Sequence, residues 1–161
     1  MEGFMDFKLF LDLDGVLCDF EARIHEMFGR GPKEIHPKEM WKTLARTPDF
    51  YANLDWMPDG KHLWEEMKQF NPTILTGIPM GNWAPKQKRV WCGRNLGWEV
   101  PVITCFARDK FTHGQSGDVL IDDTAKNSVS WNDMGGVFIL HTSSTTSIDE
   151  FYKLLSTHRN Q

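Results

Sequence analysis

Two apolar runs in this chain end in pairs of carboxylates. Leu9-Phe10-Leu11 leads into Asp12, with Asp14 two positions later, and Val119-Leu120-Ile121 leads into Asp122 and Asp123. A buried strand that delivers acids at its carboxyl end is costly unless a cation sits beside them. Ligation by oxygen alone selects a hard metal, with Mg²⁺ the usual choice. A carboxylate held beside Mg²⁺ is a nucleophile towards phosphorus, and the metal neutralises phosphoryl charge and orients in-line attack.

The Asp12–Asp14 spacing suits two carboxylates with different duties. Asp12 attacks and carries an aspartyl-phosphate. Asp14 protonates the leaving oxygen and then takes a proton from the hydrolytic water. The Thr76 hydroxyl and neighbouring backbone N–H groups, Gly77 included, would bind phosphoryl oxygens. A lysine is also required, and Lys86, Lys88 and Lys110 are candidates by position. The run Lys86-Gln87-Lys88-Arg89 reads first as a solvated helix face, which leaves Lys88 as runner-up. As a bland alternative, Asp14-Gly15 is a common turn pair and Asp122-Asp123 a solvated strand end. Their joint occurrence with the apolar runs favours a site. Cys18 is near these acids but has no basic partner, so a thiol nucleophile is not expected.

Strands are expected over 7–12, 73–75 (ending in Thr76-Gly77), 100–106, 118–121 and 137–140. Helices are expected over 20–29, 37–47, 60–70, 84–96 and 147–157. Gly29 and Gly31-Pro32 end the first, Pro37 starts the second, and Ser147 with Glu150 makes a capping box for the last. Residues 47–60 read as loop. The alternation predicts an α/β fold: a Rossmann-like parallel sheet flanked by helices, with a small helical cap inserted after the first strand. The expected division is 1–20 plus 58–161 as the catalytic core and 21–57 as the cap. The acidic and Thr-Gly strand ends would meet at one sheet edge.

Composition narrows the partners. The chain has 161 residues, 40% hydrophobic, and a net charge of −4, so neither duplex nucleic acid nor another long polyanion is expected as partner. Seven Trp and eleven Phe mostly fill a core, Trp64, Trp91 and Trp98 among them; a few would line a pocket for a flat ligand. Three Cys without a C-x-x-C pair argue for reduced thiols. The opening MEGFMDFKLF has no basic segment followed by a long apolar stretch, and no apolar run approaches membrane-spanning length. A cytoplasmic location and no membrane partner are expected. The assembly state is left open, a homodimer included.

LDLDGVLCDF, ILTG and DVLIDD, in this order and spacing, resemble the motifs of the haloacid-dehalogenase superfamily of aspartate-nucleophile phosphatases. Closer still is the likeness to 5′(3′)-deoxyribonucleotidases. It rests on DLDGVLCDF, Pro58-Asp59-Gly60, ILTG, Arg108-Asp109-Lys110 and LIDD, and spans nearly the whole chain. The resemblance implies Asp12 as nucleophile and metal ligand, and Asp14 as acid/base whose backbone carbonyl is a second ligand. Asp123 is implied as the third ligand, with Asp122 in support. It also implies Thr76 and Lys110 as phosphate contacts, Phe20 as an aromatic facing a nucleobase, and Trp41 as a cap aromatic. The family often has Ser where this chain has Gly77, which makes one phosphate contact backbone-only, and the cap is shorter than in longer members. The expected activity is Mg²⁺-dependent dephosphorylation of small nucleotides. The competing expectations are another small phosphoester, such as a sugar phosphate or a nucleic-acid 3′-phosphate end, and a non-catalytic nucleotide- or phosphate-binding module. A binding module has no need of an acid/base at Asp14, which ranks it last.

Overall fold

Five strands form one all-parallel sheet in the computed structural model, which describes residues 5–159. The strands are β1 (Leu9–Leu11), β2 (Thr73–Gly77), β3 (Val102–Cys105), β4 (Val119–Asp122) and β5 (Val137–Leu140), in spatial order β3-β2-β1-β4-β5. The chain winds outward from β1 on one side and then crosses to the other. The topological switch therefore falls between β1 and β4, where parallel sheets open a crevice at their carboxyl ends. Leu9, Phe10 and Leu11 pair with Val119, Leu120 and Ile121, and this register sets the residues after β1 beside the end of β4.

The two-residue repeat of the strands sorts side chains to two faces. Leu9, Leu11, Ile74, Val119, Ile121 and Ile139 join the main buried cluster. That cluster also takes in α3 (Gly60–Met67), α4 (Ala84–Asn95) and α6 (Ser144–Arg159). Phe10, Leu75 and Leu120 face the other way, against Trp131 of α5 (Ser128–Asp133), with Phe10 and Trp131 edge to face at 5.6 Å. The expected parallel α/β sheet with flanking helices is what the chain forms.

Between β1 and β2 the chain builds α1 (Phe20–Phe28), a 3-10 turn at Pro32–Glu34 and α2 (Pro37–Arg46). Asp19 caps α1 through Ala22 N–H, and Gly29 ends it in the left-handed region at φ 72°. The two ends of this insertion are stitched together. Asp19 N–H donates to Asp55 O at 2.8 Å and Met57 N–H to Leu17 O at 2.7 Å. Ile24, Met40, Leu44 and Phe50 belong to the same buried cluster as the sheet, so the insertion shares one core with it. Tyr51 N–H donates to Gln87 Oε1 at 2.8 Å and Trp91 Nε1 to Leu54 O at 2.8 Å, which fastens residues 51–54 to α4.

The structure departs from expectation at several points. Helix α5 was not foreseen: it is six residues long, with Trp131 buried and Val129 65% exposed, and so shows no amphipathic repeat. Helix α6 begins at Ser144 instead of 147. Its first turn is satisfied by Ser143 Oγ, which accepts from Thr146 N–H at 3.2 Å, and by Asp59 Oδ2, which accepts from Ser144 N–H at 2.7 Å. Ser147 is buried on His141 Nδ1 at 2.8 Å and is not a cap. The segment holding Arg108, Asp109 and Lys110 is a 3-10 run, Ala107–His113. The expected helix 60–70 closes as a 3-10 turn over Lys68–Phe70. Trp98, expected to be core, is 70% exposed and lies flat on Gly93, where a Cβ would overlap its ring.

Candidate active site

Asp12 follows β1 and its N–H donates to Ile121 O at 2.9 Å, which extends the β1–β4 pairing by one residue. The chain then folds sharply: the N–H groups of Leu17 and Cys18 both reach Leu13 O, at 2.8 and 2.9 Å. Gly15 stands at φ 80° within this turn, a conformation that glycine adopts without penalty. A Cβ there would also overlap the Asp123 carboxylate. Glycine is thus needed twice over, for the turn and for the approach of Asp123.

Asp12, Asp122 and Asp123 offer ligand oxygens that all lie within 4.8 Å of one another. They are not equivalent. Asp122 is fully buried and its oxygens are taken: Oδ2 accepts from Lys110 Nζ and Asn127 Nδ2, each at 3.0 Å, and Oδ1 accepts from Thr124 N–H at 2.8 Å. Asp123 is exposed on the cleft side, with a weak contact from Thr124 Oγ1 at 3.3 Å. Lys110 Nζ also reaches Asp12 Oδ1 at 3.0 Å, so one buried ammonium clamps Asp12 to Asp122.

Burial pushes the Asp12 carboxyl well above its usual range; Lys110 pulls it down, and Asp122, Asp123 and Asp14 push it further up. Burial and Asp122 likewise raise Asp123. Lys110 is raised, because its attraction to Asp12 and Asp122 outweighs the burial that opposes it. Three carboxylates thus share one buried lysine, and their hard oxygen donors are of the kind that hold a divalent cation. On hydrogen bonding, Asp12 and Asp123 have oxygens to give a metal, and Asp122 is engaged in holding Lys110.

Asp14 is set apart from this group by a second lysine. Lys88 is fully buried on α4, and its Nζ donates to Asp14 Oδ2 at 2.8 Å, Thr76 Oγ1 at 2.8 Å and Gly77 O at 2.7 Å. The same ammonium lies 4.4 Å from the Tyr51 ring centroid. This overturns the solvated-face reading of Lys88. Ala84, Lys88, Trp91 and Cys92 occupy one buried stripe at i, i+4, i+7 and i+8, and that spacing was the signal in the sequence. Lys86 is exposed.

A cleft of about 560 Å³ opens above these groups, within the size range of small-molecule sites. Asp12, Asp14, Phe20, Trp41, Gly77, Lys110 and Asp123 line it, as does Tyr51, which the sequence did not single out. Thr76 and Asp122 lie behind the lining: both are fully buried, and the Thr76 hydroxyl is occupied by Lys88. Phe20 stacks on Tyr51 at 6.2 Å and sits 6.0 Å from Trp41; Tyr51 stacks on Trp83 at 5.4 Å. The cleft thus runs from an acidic floor to an aromatic wall. Cys18 is buried and burial pushes its thiol well up, which suits an inert packing group.

No protein-family model matches the chain. Among the described residues, no helix is long and apolar enough to cross a membrane.

Proposed function

We propose that the protein is a Mg²⁺-dependent phosphomonoesterase of the haloacid-dehalogenase type that acts on small nucleotides, with deoxyribonucleoside monophosphates the best-matched substrates. One observation carries the reading: Asp12 and Asp14, two residues apart, are held by different lysines at the floor of one cleft. Asp12 is clamped in the acidic group by Lys110, and Asp14 stands outside that group, paired with Lys88 and lining the cleft, where a proton donor to the leaving oxygen is needed.

In this reading an Asp12 oxygen attacks phosphorus, the bond from phosphorus to the leaving oxygen breaks, and Asp14 gives that oxygen its proton. Asp14 then takes a proton from the water that attacks the aspartyl-phosphate, which frees Asp12 and releases phosphate. Lys110 balances charge beside the nucleophile. Mg²⁺, held by Asp12 and Asp123 with the Asp14 carbonyl that the family likeness adds, would neutralise the phosphoryl oxygens. Thr76, expected to touch phosphate, instead supports the Lys88 cradle from behind the lining. Phe20, Trp41 and Tyr51 offer flat apolar surface to a base, which favours nucleotides over sugar phosphates. Residues 21–57 act as the cap that bounds the substrate, with residues 51–54 tied to α4.

A phosphate-release screen over nucleoside monophosphates and sugar phosphates, with Mg²⁺ and with chelator, tests the proposal. Turnover of nucleotides that chelator abolishes and Asp12→Asn eliminates is expected. No turnover, or turnover indifferent to chelator, would overturn it.

A further inference from the structure

We infer that Lys88 is a positioning residue: it aims the Asp14 carboxyl at the leaving oxygen and ties that aim to the aromatic wall. The inference rests on the phosphatase reading above.

Asp14 has little else to hold it. Its Oδ2 accepts from Lys88 Nζ at 2.8 Å, and its Oδ1 is the one buried side-chain oxygen or nitrogen among the described residues that has no partner. The orientation of the carboxyl therefore depends on a single donor. That donor is itself fixed on all sides. Lys88 is fully buried, and Thr76 Oγ1 at 2.8 Å and Gly77 O at 2.7 Å take its other two hydrogens. An ammonium has three donors and no acceptor, so the set is complete.

The cradle is also a bridge between elements. Thr76 and Gly77 belong to β2, Lys88 to α4, Asp14 to the turn after β1, and the Tyr51 ring under the ammonium to the insertion. Tyr51 stacks on Phe20 and Trp83 and hangs from Gln87, one residue before Lys88. The side chain that would meet a base and the side chain that would deliver a proton are two contacts apart, through one lysine. Lysine suits this place better than arginine, because three short bonds diverge from one nitrogen, which a planar fork cannot reproduce.

Leaving-group dependence isolates this role. An aryl phosphate such as p-nitrophenyl phosphate departs without a proton, whereas a 2′-deoxynucleoside 5′-monophosphate leaves as an alkoxide and needs one. The quantity kcat/KM covers only steps up to leaving-group release, so the water step does not enter. In Asp14→Asn the alkyl-to-aryl ratio of kcat/KM should fall by roughly 100-fold, within the usual range for general-acid catalysis. In Lys88→Met both esters slow, and the ratio should fall at least about 10-fold. Equal slowing of both esters would overturn the positioning role while leaving the phosphatase reading intact. Absence of wild-type turnover on both esters would overturn the phosphatase reading and this inference with it. The Asp14→Asn/Lys88→Met double variant removes both charges together and so guards against a fold lost to one unpaired charge. Its ratio should stay within about 2-fold of Asp14→Asn, as coupled residues require; a further selective loss on the alkyl ester would show that Lys88 acts elsewhere.

Discussion

Lys110 Nζ lies 3.0 Å from Asp12 Oδ1, and both side chains are buried at the point where the strand order of the sheet reverses. The same ammonium is 3.0 Å from Asp122 Oδ2. A strand end, a 3-10 run and a second strand end are thus locked by one charge.

That lock has a measurable cost of removal. Lys110→Met leaves two buried carboxylates facing each other and should lower unfolding free energy by roughly 3 kcal/mol, the usual scale for orphaning a buried ion pair. Adding Asp122→Asn should restore at least half of the loss. Urea unfolding in chelator measures both; a single variant as stable as wild type would contradict the clamp.

Metal binding should stabilise the folded chain through mass action. Mg²⁺ in the millimolar range is expected to raise Tm of the wild type, and Asp123→Asn should abolish most of that rise. Gly15→Ala should do so too, since its Cβ would occupy the space of the Asp123 carboxylate in a turn at φ 80°. A Tm shift that survives both changes would place the metal elsewhere.

The aromatic wall predicts a split between substrates. Phe20→Ala or Trp41→Ala removes a flat surface worth about 1–3 kcal/mol per stacked base. KM for nucleotides should rise by roughly 10-fold more than KM for a base-free sugar phosphate. Steady-state kinetics on the two classes decides it; equal increases would mean that these rings shape the fold and not the specificity.

His141 offers a pH signature away from the chemistry. Burial lowers it from 6.5, partly opposed by Asp59, and its Nδ1 is paired with Ser147 Oγ at 2.8 Å. The unfolded chain therefore binds a proton that the folded chain resists. The His141 contribution to stability should be full above about pH 7 and be lost as pH drops through the ordinary histidine value towards the lowered one. His141→Asn, whose amide stands in for Nδ1, should flatten Tm against pH between about 5 and 7. Asp59 titrates lower: burial raises its carboxyl, but hydrogen bonding from Ser144, whose N–H donates to Oδ2 at 2.7 Å, outweighs that and holds it below the usual range; its contribution is lost only as pH falls further, so the two windows separate. An unchanged slope would exclude His141 as the source.

What the amino-acid order determined by itself was local. Apolar runs ending in Asp12 and Asp122, the Thr76-Gly77 strand end and the Gly29 helix end depend on neighbours a few residues away, and their strands and helices form within a residue or two of the expected positions. The parallel α/β order followed from alternation alone. Helix α5 and the start of α6 escaped because their anchors are distant: Trp131 on the far face of the sheet, and Asp59 reaching across 85 residues to Ser144. Only the tertiary structure could decide how the charges divide. Lys110 meets Asp12 across 98 residues and Lys88 meets Asp14 across 74. The helical stripe it shares with Ala84, Trp91 and Cys92 turns Lys88 inward, but its partners are set only when β2 and Tyr51 close over it. Which carboxylate a cation selects depends on distance and burial, and neither quantity is written along the chain.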